Sequence, residues 1–147
     1  MKRTLIIFII LTLTSCGTEK GDIPLTVTAG ATASQTPVGD LVSFDSLNHL
    51  ASIQWNTVPT LSLPGDFSIQ LYEKNSNGDW LRVIRSGLLA VEIRMACCGT
   101  KVNHTLTESN GNYHVNQFTL WTGDWRILVH WEEAGQKYRA EKIIHVE

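Results

Sequence analysis

Apolar and polar side chains alternate along most of this chain from residue 51 onward. Ile53 and Trp55 alternate with Ser52 and Gln54, and Phe67, Ile69 and Leu71 alternate with Ser68, Gln70 and Tyr72. Trp80, Arg82 and Ile84 interleave with Leu81 and Val83. Leu89, Val91, Ile93 and Met95 share one face, with Glu92 and Arg94 on the other. Trp125, Ile127, Val129 and Trp131 alternate with Arg126, Leu128 and His130. A period of two puts each set on one side of a pleated strand. Turn residues separate the runs: Asn75-Ser76-Asn77-Gly78-Asp79, Asn110-Gly111 between 104–108 and 113–120, and Ala134-Gly135 before a closing run over 138–146. Asn-Gly supplies the positive φ that a tight hairpin needs. About seven or eight short strands with no helical period predict an all-β fold, an immunoglobulin-like antiparallel β-sandwich.

The N-terminal third departs from this pattern. Lys2 and Arg3 precede an apolar run from Leu5 to Leu13. That run is about half the length a membrane-spanning helix requires, so it predicts an export signal. It ends in Leu13-Thr14-Ser15-Cys16, which resembles the bacterial lipobox. The resemblance implies that the Cys16 thiol receives a diacylglycerol, often with a palmitate-type acyl chain, and becomes the first mature residue. An ordinary cleaved signal with an incidental Cys is the competing reading. Gly17 stands where an inner-membrane retention signal would carry Asp, which points to the outer membrane, facing the periplasm, in a Gram-negative cell. From Gly17 onward, Thr26–Pro37 is small, polar and aperiodic, a composition that buries little apolar area. The expected division is a lipoprotein signal peptide over 1–16, a flexible tether over 17–45 and a sandwich domain over 46–147.

Composition narrows the function classes. Charged residues make up 18% and hydrophobic residues 43%, a folded composition. The formal net charge is −2; removing the signal takes Lys2 and Arg3 and no acidic residue, leaving −4. With no basic stripe to displace counterions, nucleic acid is not an expected partner. Five Trp suggest a core built on a few large anchors. A serine nucleophile elbow, a zincin HExxH and a Gly-rich phosphate loop are all missing, and Glu132-Glu133 beside Gly135 reads as a solvated hairpin rim. The chain is not expected to be an enzyme.

Candidate chemistry is concentrated in Met95-Ala96-Cys97-Cys98-Gly99-Thr100-Lys101-Val102-Asn103-His104, with one thioether, two thiols and one imidazole. These are soft and borderline ligands, the set that selects Cu(I), or Zn in tetrahedral geometry. Met95, Cys97, Cys98 and His104 are the candidate metal ligands, and His114 lies across the predicted hairpin. Other readings remain open. Met95 also continues the apolar face. Adjacent cysteines in an oxidising compartment can close a vicinal disulfide, which removes both thiolates. His49, His130 and His145 read as structural or solvated.

Residues from about 50 onward resemble the YtkA-like family, small exported domains associated with copper handling and related in style to FixH proteins. The resemblance rests on Ile53-Gln54-Trp55 with Pro59 and the Phe67–Leu71 strand, on Val91–Met95 leading into a loop, on Gly111-Asn112-Tyr113, and on Trp121-Thr122-Gly123-Asp124-Trp125. It implies a membrane-anchored envelope domain that carries or sequesters Cu(I). A structural or interaction module in envelope assembly is the alternative. The Met- and His-rich family loop is replaced here by Cys97-Cys98-Gly99, and Trp121 stands where a second Met is common.

Overall fold

The computed structural model describes residues 25–27, 30–34, 36–45, 48–84 and 87–147. Cys16 and the signal segment lie outside the described residues. Eleven strands run through the described chain: β1 (Leu25–Val27), β2 (Gly30–Ser34), β3 (Asp40–Ser43), β4 (His49–Thr57), β5 (Gly65–Lys74), β6 (Trp80–Ile84), β7 (Gly87–Met95), β8 (Thr105–Ser109), β9 (Asn112–Phe118), β10 (Gly123–Glu133) and β11 (Gln136–Val146). The expected all-β sandwich is present, with all pairings antiparallel. The eight strands expected from alternation are β4 to β11. Three more lie within 17–45, where a tether was expected. Asp40–Ser43 pairs with Leu50–Ile53, and Val42 and Phe44 sit in the core. The packed body therefore begins before residue 46.

One sheet has the order β1-β7-β10-β11. The other runs β2-β6-β5-β4-β3, and β9 and then β8 extend it from the first half of β5. β5 shares one edge between two partners: Leu71–Lys74 pairs with β6, and Gly65–Gln70 pairs with β9. Phe67, Ile69 and Leu71 from one sheet face Leu89, Val91, Ile93, Trp125, Ile127 and Val129 from the other, all buried. Apolar faces on two sheets have no other way to leave water, and burying such a side chain contributes about 1.5–3 kcal/mol.

Two hairpins fix the register. Asn110 and Gly111 both take positive φ (51° and 73°), as do Ala134 and Gly135 (50° and 78°). Two-residue turns of this hand match strand twist. The second turn locks β10 to β11 along their full length, from Glu133↔Gln136 to Gly123↔Val146.

Some outward-phase side chains are buried as well, among them Tyr72 and Leu128. Leu128 falls on the outer face with Arg126 and His130, yet is buried. Its cross-strand neighbours are Glu92 and Glu141. Glu92 pairs with Lys101 (2.7 Å) and Arg94 (3.4 Å), and Glu141 pairs with Arg139 (2.9 Å) and Arg126 (3.2 Å). Long paired side chains of this kind can shield an apolar neighbour with their aliphatic stems.

Strand directions sort the loops into two ends. The 58–64 loop joins β4 to β5, the 96–104 segment joins β7 to β8, and the 119–122 loop joins β9 to β10. All three lie at one end, with the residues just before β3 and the C-terminus. The opposite end carries the polar turns at 75–79, 110–111 and 134–135.

Candidate functional site

The thiols sit on a tight hairpin that leaves the end of β7. Arg94 bridges Lys101, and the Val102 N–H donates to the Ile93 carbonyl at 3.0 Å. Inside this pair, the Met95 N–H donates to the Thr100 carbonyl (2.8 Å) and the Gly99 N–H to the Met95 carbonyl (3.0 Å). Ala96, Cys97, Cys98 and Gly99 form the tip. Gly99 closes it at φ 74°. A side chain is strained at that φ, so glycine lets the chain return after one turn.

This geometry brings sulfur together. Met95 is the last inward residue of β7 and packs partly against the core, with its stem held by the sheet. Its sulfur accepts from the Cys98 thiol at 3.7 Å. Cys98 Sγ also lies 3.2 Å from the Thr100 hydroxyl. Cys97 and Cys98 are both free thiols, and both are exposed. The apolar-face reading and the ligand reading of Met95 thus describe two parts of one side chain.

The two thiols are unequal. The Thr100 hydroxyl, then the Thr100 backbone and the Cys97 thiol, hold Cys98 below the usual thiol range. Cys97 is pushed up, first by its hydrogen bond to Cys98 and then by desolvation and the charges of Cys98 and Asp124. As pH rises, the first thiolate forms on Cys98, the sulfur nearer Met95.

The structure does not gather His104 with the thiols. His104 is half-buried three residues past Lys101, on the run toward β8 and away from the tip. Among the described residues no group of three or more His, Cys, Asp or Glu side chains is placed to hold a metal ion. His114 lies within the second sheet, between Ser68 and Thr107. His49 lies 3.8 Å from Glu73 and packs on Tyr138. His130 stands on the outer face of the first sheet, where burial lowers its pKa.

Two residues near the loop are not placed beside it by the sequence pattern, in which His145 reads as structural or solvated. Asp124 pairs with His145 across β10 and β11, Oδ1 to Nδ1 at 2.7 Å. The Asp124 carbonyl accepts the Ala96 N–H at 2.8 Å, which ties this pair to the cysteine hairpin. The signal for them was available in the Ala134-Gly135 turn, because counting back from a two-residue turn places Asp124 opposite His145.

As a donor set, the tip offers two thiols and one thioether. Tetrahedral Zn sites use four N, S or O ligands, and the described residues supply no such group here. Soft sulfur donors suit Cu(I). No family model matches the chain, and no curated protein or solved structure matches it significantly.

Proposed function

We propose that this chain is an exported, lipid-anchored sandwich domain of the cell envelope that binds Cu(I) at Met95, Cys97 and Cys98, for carriage or sequestration. The observation that carries the reading is the contact of Cys98 Sγ with Met95 Sδ at 3.7 Å in an exposed hairpin that also holds Cys97. Three soft donors within the four residues 95–98 need little rearrangement to share one ion, and Gly99 leaves the approach open, with nothing within 4 Å of the space a side chain would occupy. The resemblance to YtkA-like domains supports the same placement, at the loop following the Val91–Met95 strand. His104 takes no part in this reading.

The test is a Cu(I) competition titration on the reduced chain against a chelator of known affinity. One Cu(I) per chain is expected. Affinity should fall about a hundredfold or more in Cys97→Ser/Cys98→Ser and stay unchanged in His104→Ala. Binding should weaken as pH falls, because both thiols release protons to bind. Equal, weak affinity in all three proteins refutes the metal reading and leaves an envelope interaction module.

A further inference from the structure

We propose that the loop end of the sandwich that carries the cysteine hairpin docks on the lipid surface through Val58, Leu61, Leu63 and Trp121. The proposal rests on the lipid-anchor reading of Cys16.

Seven large hydrophobic side chains are exposed among the described residues: Val38, Leu41, Val58, Leu61, Leu63, Trp121 and Ile143. Five of them, all but Leu41 and Ile143, lie in the segments at this one end. None of the seven lies in the described turns of the opposite end, 75–79, 110–111 and 134–135. Val58, Leu61 and Leu63 are 62%, 55% and 51% exposed in a single loop, and Trp121 is 45% exposed in the next. A clustered apolar surface of this kind marks an interaction site, whereas scattered single residues do not.

The tips are held in place. Thr60 N–H donates to the Leu63 carbonyl at 3.2 Å, and the Thr60 hydroxyl accepts from Leu63 N–H at 3.2 Å. This turn sits between buried Pro59 and exposed Pro64, and both leucines face outward. Trp121 stacks edge-on against buried Trp125, with ring centroids 4.6 Å apart, and its carbonyl accepts the Trp125 indole N–H at 2.9 Å. Val38 is fixed by its carbonyl, which accepts the Ser52 hydroxyl. The apolar side chains therefore point into solvent from an ordered frame.

The reach of the anchor points to the occupant. β1 runs antiparallel to β7, with Leu25 opposite Leu89 and Val27 opposite Gly87. Within β1, Leu25 is the residue nearer the Met95 end, and it pairs six residues short of Met95 on β7. Nine residue steps separate Cys16 from Leu25, at most about 30 Å of extended chain. That length exceeds the six residue steps, about 20 Å of strand, from Leu89 to Met95, so a lipid on Cys16 leaves the apolar end within reach of the bilayer. Tryptophan with short aliphatic tips suits an interface where one side is apolar and the other wet.

Charge sets the lipid class. Asp40, Asp66 and Asp124 lie at this end together with Lys101 and Lys142. With no basic excess, docking is apolar and does not depend on anionic headgroups.

The experiment uses the full processed chain reconstituted in phosphatidylcholine vesicles with brominated acyl chains, with mass spectrometry of Cys16 and vesicle flotation alongside. Bromine should quench a part of the tryptophan emission that disappears in Trp121→Phe. It should also disappear in Leu61→Asp/Leu63→Asp, which keeps Trp121 and still floats with the vesicles through its anchor. Both variants alter exposed side chains, and circular dichroism verifies their fold. Adding anionic lipid should leave the quenching unchanged. An acylated chain that floats without Trp121-dependent quenching overturns docking alone. Crosslinking of two copies through this end, without quenching, assigns the patch to self-association and also overturns it. An unacylated Cys16 overturns the anchor reading and the docking proposal together.

Discussion

Trp125 offers the most quantitative check on the core. It is fully buried, stacks on Trp121, and donates its indole N–H to the Trp121 carbonyl. A Trp buries roughly 150–250 Å², worth about 4–6 kcal/mol at ~25 cal/mol per Å². Measured Trp→Ala losses are about 3–5 kcal/mol, because neighbours relax partway into the cavity. Trp125→Ala should therefore remove about 4 kcal/mol from a domain with about 5–15 kcal/mol in total. With a urea slope of about 1–3 kcal/mol per molar, the unfolding midpoint should fall by roughly 1.3–4 M. Far-UV circular dichroism is the right probe, since the substitution removes a fluorophore. Trp125→Phe should retain most of the packing and lose about 1 kcal/mol for the hydrogen bond, as the released carbonyl is near solvent. A loss below about 1 kcal/mol in Trp125→Ala would refute the assigned strand phase and with it the core-facing set Ile127, Val129 and Trp131.

Two further outcomes follow from the same structure. His130 has its pKa lowered, chiefly by burial, so as pH falls below its ordinary value of about 6.5 the unfolded chain takes the proton first and stability drops; His130→Gln should flatten the stability profile in the window just below pH 6.5, and an unchanged slope there would contradict its half-buried placement. Cys16→Ser should either release the protein from membranes or leave an uncleaved precursor, read by fractionation and intact mass; wild-type processing and partition would contradict the lipid anchor.

The legible part of the fold came from side-chain periodicity. The inward set Leu89, Val91, Ile93 and the set Trp125 to Trp131 could be read because a two-residue period is strict wherever one face is buried. The turns at Asn110-Gly111 and Ala134-Gly135 could be read because few residues tolerate positive φ twice in succession. β1 and β2 could not be read this way. β1 has only three residues, too few to establish a period, β2 is a run of small residues, and their pairing to β7 and β6 is made by backbone groups that every residue has. Alternation put Leu128 on the correct outer face but could not show its burial, because it predicts which face a residue points to and not what covers that face.

The site was legible at short range and lost at longer range. Met95, Cys97 and Cys98 fall together because four residues make one hairpin tip. His104 is close in sequence but follows the strand away from that tip. Asp124 and His145 are distant in sequence, and only the β10–β11 register brings them beside Ala96. Proximity along a chain indicates convergence only when a turn lies between the residues.

Copper X-ray absorption on the reduced, desalted chain loaded with one equivalent of Cu(I) tests the central claim most directly. The account predicts retained copper in a sulfur-only shell of two thiolates and one thioether, reduced to two sulfurs in Met95→Leu. Loss of the copper on desalting, or an inner shell with imidazole scattering, would contradict it.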